Sequence, residues 1–277
     1  MSIPNPVSVG AKRGLRTLRR EGCGEAVSRV REWPVTPLPP MEADPGLPWP
    51  ELIPGTLVRR YKRFLADVRL EDGRTVTAHC PNSGRMTACC EAGRPVHLSR
   101  SEAPGRKLRY TWELIEMPTS LVGVNTLVPN RLVMESIRRG RIGELSGYAS
   151  VRREAAVGKG SRMDILLSDP ERGRCYVEVK NCTLVEDGLA VFPDAVTARG
   201  LKHLVEMRRL VAEGTRCVMF YLIQRMDARL FMPADAVDPD YGRGLREAVR
   251  EGVEILVWDA EITLRGIRLH RRIPWRL

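Results

Sequence analysis

The chain has 277 residues, which is enough to bury a sizeable core in one or two domains. Its formal net charge of +11 favours a polyanionic partner, while the aromatic content of only 5 % argues against binding dominated by base stacking. The seven cysteines are odd in number, which is typical of free thiols in a reducing compartment and argues against a disulfide framework.

The sequence carries no sign of membrane insertion or secretion. No apolar run is long enough to span a bilayer, and the N-terminal region lacks the apolar core of a signal peptide. We therefore expect a cytoplasmic protein with no membrane association, and nothing in the sequence indicates an obligate protein partner.

Residues 1–50 differ from the rest of the chain because they are rich in proline and arginine. The proline block after Trp33 cannot pack into a sheet, since proline lacks the backbone N–H that a ladder needs. The composition predicts a flexible tail. Two other interpretations remain open: a non-specific nucleic-acid-binding arm, or a chain whose translation begins at Met41.

Residues 51–128 predict a small β-barrel. Short apolar strands alternate with turn signals, of which Glu71-Asp72-Gly73 is the clearest hairpin turn. Five or six short strands in this length are typical of an OB-like barrel, although other small barrels fit the pattern equally well.

One predicted strand of this barrel has a basic edge interleaved with the rings of Tyr61 and Phe64. The pattern indicates either a groove for a phosphate backbone or a solvated strand whose arginine stems cover the barrel. The candidate nucleic-acid-binding residues on this edge are Arg59, Arg60, Lys62 and Arg63.

Residues 129–277 predict a mixed α/β sheet with helices on its faces. Helices are expected over residues 129–141 and 197–213, and the second has an apolar stripe that includes Leu204, Val205 and Met207. The continuous apolar run 217–223 is typical of a buried strand. Helix, hairpin, helix and buried strand in this order favour one layered α/β domain.

The segment 162–180 predicts a β-hairpin with polar side chains at matching positions. With the loop at 169–173, Asp164 lies opposite Glu178, and Lys180 faces the same way as Glu178. Two carboxylates this close repel each other unless they share a cation, and oxygen ligands suit Mg²⁺ or Mn²⁺. The other interpretation is a solvated strand, and a register slip of one residue would turn Asp164 into the core.

The chain resembles the sugar fermentation stimulation protein A (SfsA) family over nearly all of residues 52–277. Its second half also resembles the PD-(D/E)XK nuclease superfamily, because an R-x-D motif is followed by E-V-K on a strand hairpin. The segments that carry the resemblance are R-R-Y-K-R-F-L-A-D-V (59–68), A-H-C-P-N-S-G-R-M (78–86), Y-T-W-E-L (110–114), V-G-V-N-T (122–126), S-R-M-D-I-L-L (161–167), Y-V-E-V-K-N-C-T-L (176–184) and F-P-D-A-V-T-A-R-G (192–200).

This resemblance implies an OB-like domain followed by a nuclease-like α/β domain, and it implies DNA binding. Carried over, Asp164 and Glu178 are metal ligands, Lys180 is the catalytic lysine, and Glu135 is the acidic residue of the preceding helix. The function implied is a Mg²⁺- or Mn²⁺-dependent nuclease. The alternative is a DNA-binding regulator of sugar (maltose) metabolism genes with a catalytically silent nuclease fold.

The start of the second predicted helix adds further candidates. Arg199 and Lys202 are positioned to contact phosphates there. His203 is either a proton shuttle or a buried helix histidine with an ordinary hydrogen bond.

Overall fold

The computed structural model of the chain describes residues 45–157 and 161–277. Most of the predicted tail, including Met41, lies outside these residues. Its last part does not, because Leu47–Pro48 form a short strand, β1, that pairs antiparallel with Ile267 and Gly266. The predicted tail boundary at residue 50 is therefore too late, since the apolar side chains of Leu47 and Trp49 pack against the core of the second domain.

The predicted barrel is present. Its strand order is β4-β3-β2-β5-β6-β7, and a parallel pairing of β4 with β6 closes it. The turn into β4 contains Gly73 with a φ of 83°, a left-handed conformation that glycine adopts without strain. The strands are β2 (Leu52–Tyr61), β3 (Leu65–Leu70), β4 (Thr75–His79), β5 (Pro95–Arg100), β6 (Tyr110–Met117) and β7 (Ser120–Gly123).

The second domain is the predicted mixed α/β structure. Its main sheet has the order β1-β16-β15-β13-β10-β9-β8, with β10, β13 and β15 parallel, and a small sheet joins β11, β12 and β14. The elements are α1 (Val128–Arg138), β8 (Ser150–Val157), β9 (Ser161–Asp169), β10 (Gly173–Cys182), β11 (Val185–Glu186), β12 (Leu189–Phe192), α2 (Ala198–Ala212), β13 (Arg216–Ile223), β14 (Leu230–Pro233), α3 (Pro239–Arg250), β15 (Glu254–Ile262) and β16 (Gly266–Arg272), with a 3₁₀ turn at Gly143–Leu145.

Both faces of the seven-stranded sheet are buried. Helices α2 and α3 cover one face, while α1 and part of the barrel cover the other. Both faces of the β9–β10 hairpin therefore belong to the core. Ile165 packs in the core beneath α1, whereas Met163 packs with Tyr176 in the core beneath α2 and α3.

Helix α2 turns His203, and not Val205, towards the core. Thr197 is its N-cap and accepts a hydrogen bond from the backbone N–H of Gly200. Val205 was expected to face the core but is 55 % exposed, whereas His203 is buried. No helix in the described ranges is long and apolar enough to cross a membrane.

Candidate active site

The candidate site lies where strands β9 and β10 separate. Their pairing runs from Asp169 opposite Gly173 to Ile165 opposite Val177, which is the predicted register. Asp164 is the next residue, and its side chain accepts a hydrogen bond from the backbone N–H of Val179 at 2.8 Å. The Asp164 carboxylate therefore takes over the position where the ladder would otherwise continue.

A residue from helix α1 completes the contacts of Asp164. The Asn130 side-chain amide donates to Asp164 Oδ1 at 2.7 Å, so both carboxylate oxygens have a partner. The family resemblance implies that Glu135 supplies the helix contribution, but the structure does not place Glu135 at Asp164. Glu135 forms ion pairs with Arg139 at 3.1 Å and Arg138 at 3.9 Å, because it lies about 140° around the helix from Asn130.

Glu178 is the centre of a buried cluster on the α2 side of β10. Lys180 Nζ donates to Glu178 Oε1 at 2.6 Å, and His203 Nδ1 donates to the same oxygen. Lys180 Nζ also lies 3.3 Å from His203 Nδ1. Only 3 % of the Glu178 side chain and 12 % of the Lys180 side chain are exposed. The cluster thus holds two basic groups against one oxygen of a single carboxylate.

The surroundings shift the pKa values of the two carboxylates in opposite directions. Burial, followed by the negative charge of Glu178, raises the pKa of Asp164 to about 6. Burial also acts to raise the pKa of Glu178, but the hydrogen bond from His203 and the charge of Lys180 outweigh it and hold this pKa below its ordinary value. Near neutral pH Glu178 is therefore ionised, whereas burial and the charge of Glu178 destabilise the charged form of Asp164.

The residues present fit a divalent cation. Glu178 Oε2 is buried and has no hydrogen-bond partner, an arrangement that costs free energy unless a ligand satisfies the oxygen. A cation held by Glu178 Oε2 and Asp164 would also remove the repulsion that raises the pKa of Asp164. In the described ranges no group of three or more His, Cys, Asp or Glu side chains is arranged to hold a metal ion, so backbone, water or substrate oxygens would supply the remaining ligands.

The four basic residues predicted on the barrel edge form two groups: Arg59 and Arg60 bond within the barrel, whereas Lys62 and Arg63 are exposed. Arg59 pairs with Asp67 at 2.8 Å, and Arg60 donates to the backbone oxygens of Asn82 at 2.7 Å and Gly84 at 2.9 Å. Arg60 therefore holds a loop of the barrel in place. Lys62 and Arg63 instead occupy the exposed turn between β2 and β3, with positive φ angles of 46° and 63°.

The predicted residues on α2 are placed as two groups. Arg199 and Lys202 are exposed on the first turns of the helix, and no acidic residue lies in its first turn. His203 faces the opposite way and reaches Glu178, so it belongs to the site itself. Asn130 is the site residue that the sequence did not reveal, because no local pattern distinguishes it from an ordinary polar residue near a helix start.

Two family models match this chain. Residues 58–124 match the family described as SfsA N-terminal OB domain, which confirms the OB assignment of the barrel. Residues 127–266 match the family described as sugar fermentation stimulation protein RE domain. The chain belongs to the sugar fermentation stimulation protein (SfsA) family.

Relatives within the SfsA family match about four fifths of the chain. A sugar fermentation stimulation protein homolog of Pelobacter propionicus is 58 % identical over 81 % of this chain and 97 % of its own length. A homolog of Geobacter sulfurreducens is 56 % identical over 82 % of this chain and 97 % of its own length. The predicted family resemblance is thus confirmed.

A solved structure in the SfsA family has the same fold. SfsA of Pyrococcus furiosus, solved in complex with Ca²⁺, superposes with a TM-score of 0.77 at 27 % identity. The match covers 83 % of this chain and 98 % of the Pyrococcus chain.

Proposed function

We propose that this protein is a divalent-metal-dependent nuclease that hydrolyses phosphodiester bonds, with DNA as its substrate. The observation that carries the proposal is the buried Glu178 Oε2 atom without a partner, next to Asp164 and Lys180. The Ca²⁺ complex of Pyrococcus furiosus SfsA adds support, because Ca²⁺ and Mg²⁺ both take oxygen ligands. The net charge of +11 supports a polyanionic substrate.

The chemistry divides between the cation and the side chains. A Mg²⁺ or Mn²⁺ ion held by Asp164 and Glu178 would stabilise the negative charge that develops on the phosphodiester. Asn130 and the backbone of Val179 orient Asp164, and His203 orients Glu178. Lys180 carries the only ammonium group in the cluster, and it can turn from Glu178 to a water or a phosphate oxygen as the reaction proceeds.

The direct test is a cleavage assay with labelled single- and double-stranded DNA and RNA. Purified protein is incubated with Mg²⁺, with Mn²⁺ or with EDTA. We expect cleavage with either metal and none with EDTA. Tight DNA binding without cleavage under every metal would instead support the alternative, a DNA-binding regulator of sugar metabolism genes.

Arg60 and Arg63 form a matched pair for testing how the barrel contributes to DNA binding. Arg63→Ala is expected to weaken binding to all sequences alike and to lower the slope of log affinity against log salt by about 0.7 to 0.9, as for one lost phosphate contact. Its melting temperature should be unchanged, because Arg63 is exposed in a turn. Arg60→Ala should lower the melting temperature by several degrees, because three backbone oxygens lose their donor.

The measurements are DNA titrations at several salt concentrations and thermal unfolding of both variants. If Arg63→Ala binds with the wild-type salt slope, the barrel turn does not contact the backbone. The exposed pair Arg199 and Lys202 on α2 then becomes the candidate for the phosphate contacts.

A further inference from the structure

An open cleft of about 310 Å³ separates the barrel from the second domain. Its barrel wall contains Arg63, Asn82 and Ser83, and its opposite wall contains Asn181, Phe192 and Val196. We call this the interdomain cleft. Its size is at the lower end of the range for small-ligand sites, which runs from about 300 to 1,000 Å³.

The lining of the interdomain cleft suits a whole nucleotide, with uncharged polar groups for the base and sugar and one cation, Arg63, for a phosphate. Six of its thirteen lining residues carry side-chain amides or hydroxyls, which donate and accept hydrogen bonds without net charge. Phe192 adds a ring on which a base can stack. Asp194 in the wall can accept a hydrogen bond from a base amino group, and Arg63 can pair with the phosphate of the same nucleotide.

The walls of the interdomain cleft are held in fixed positions. Asp194 Oδ2 accepts a hydrogen bond from the backbone N–H of Met86 at 3.1 Å, which joins the two domains directly. A Cβ atom on Gly84 would come within 2.3 Å of Asp194, so glycine is needed for this close approach. Phe192 is braced by Tyr221 and Tyr241, with ring centroids 5.5 and 5.3 Å away. The cleft is therefore preformed.

Large apolar side chains are exposed at and beside this cleft. Val196 lines it and is 72 % exposed. Leu127 and Phe64 are 69 % and 45 % exposed, and each follows a lining residue, Thr126 and Arg63, in the chain. In some nucleic-acid-binding proteins, exposed apolar side chains of this kind insert between stacked bases.

The cleft also adjoins the candidate active site. Asn181, which lines the cleft, directly follows Lys180 in β10, so the cleft lies at the end of the strand that carries the site, although the two side chains point to opposite faces of the sheet. We propose that the interdomain cleft holds the base and sugar of one unpaired nucleotide, so that the preferred substrate is single-stranded nucleic acid. This inference rests on the proposed function, because the neighbouring carboxylates and lysine are what make a nucleic acid strand the expected ligand.

The test measures binding by fluorescence anisotropy in EDTA, where no cleavage occurs. The probes are a labelled single-stranded oligonucleotide and a closed hairpin duplex that contains the same sequence. Wild type is expected to bind the single strand at least about tenfold more tightly. Ser83→Trp fills the cleft, and Val196→Glu places a negative charge in it. Each variant should bind the single strand about tenfold more weakly than wild type, with little change in its affinity for the duplex.

Val205→Glu is the matched control. It makes the same chemical change at an exposed valine of α2 that does not line the cleft, so its single-strand affinity should equal that of wild type. All three changes are at exposed positions, and melting temperatures check that each variant is folded. Should Ser83→Trp fail to fold, Val196→Glu against Val205→Glu still decides the outcome.

A second probe separates the base from the phosphate. Replacing the bases of the oligonucleotide with abasic nucleotides keeps every phosphate, and it should reduce wild-type affinity about as much as Ser83→Trp does. In Ser83→Trp the abasic change should cost little more. Equal wild-type affinity for single strand and duplex, or cleft variants that bind like Val205→Glu, would overturn the proposal.

These experiments distinguish a wrong assignment of the cleft from a wrong proposal of nuclease activity. If wild type cleaves with metal but the cleft variants bind and cleave single strands normally, only the cleft assignment fails. If the cleft variants lose single-strand affinity in EDTA while wild type cleaves nothing with any metal, the cleft assignment stands and the nuclease proposal fails.

Discussion

Asp164→Asn and Glu178→Gln are each expected to abolish metal-dependent cleavage while the protein stays folded. The carboxamides are nearly isosteric with the carboxylates, but they lose the negative charge that holds a cation. Calorimetry should show that both variants lose divalent-ion binding. Lys180→Ala should still bind the ion but lose about 10²- to 10³-fold in cleavage rate, the usual loss when one electrostatic group is removed.

Glu135→Gln is the matched control for these changes. It is also a carboxylate-to-carboxamide substitution, but Glu135 is engaged with arginines on α1 and has no contact with Asp164. Its cleavage rate and ion binding should equal those of wild type. Loss of ion binding in Glu135→Gln would restore the helix glutamate as a ligand, whereas wild-type ion binding in Glu178→Gln would remove Glu178 from the site.

Asp164→Asn and Glu178→Gln are expected to change the stability of the metal-free protein in opposite directions at pH 8. Folding raises the pKa of Asp164 to about 6, mainly through burial, so its charged form opposes folding at alkaline pH. Asparagine removes that charge, and Asn130 can turn its amide to keep the hydrogen bond. The expected gain in the free energy of unfolding is about 2 to 3 kcal/mol.

Glu178→Gln should cost about 3 kcal/mol under the same conditions. The pKa of Glu178 is lowered because His203 and Lys180 stabilise its charged form despite its burial, so this charge favours folding. Removing it leaves the Lys180 charge without its partner in a buried place. The value is near the low end for broken buried ion pairs, because glutamine still accepts a hydrogen bond.

The pH dependence follows from the same two shifts. The gain in Asp164→Asn should be complete above about pH 6 and should vanish below the ordinary carboxyl pKa, where aspartate is protonated in both folded and unfolded chains. The cost in Glu178→Gln should be complete above the ordinary glutamate pKa and should shrink as the pH falls. Urea unfolding in EDTA at pH 8 and pH 4 measures both, and a destabilised Asp164→Asn at pH 8 would contradict the assignment.

The sequence predicts those parts of the fold that depend on neighbouring residues. The β9–β10 register follows from a local loop and alternating side chains, and it brings Asp164 and Glu178 together as expected. The barrel follows from short strands and turns such as the one at Gly73. The edge strand β1 was missed, because its pairing with Ile267 joins segments far apart in the chain.

The site combines residues of one hairpin with residues that are far from it in the sequence. Asn130 is 34 residues from Asp164, and His203 is 25 residues from Glu178, so tertiary packing alone decides that they meet. Arg60 shows the reverse problem. Its basic side chain predicts a surface contact with DNA, but its terminal nitrogens donate instead to backbone oxygens of a barrel loop. Hydrogen-bond satisfaction of a distant loop leaves no pattern in the sequence.

Some apolar residues of the barrel pack into the core of the second domain. Leu114 of β6 is fully buried in the core beneath α1, and Leu52 and Leu121 pack against that core. The backbone N–H of Gly123 also donates to the backbone oxygen of Gln224 at 3.0 Å. Separating the barrel from the second domain would thus expose these leucines to water, so we expect each domain to be less stable alone than in the whole protein.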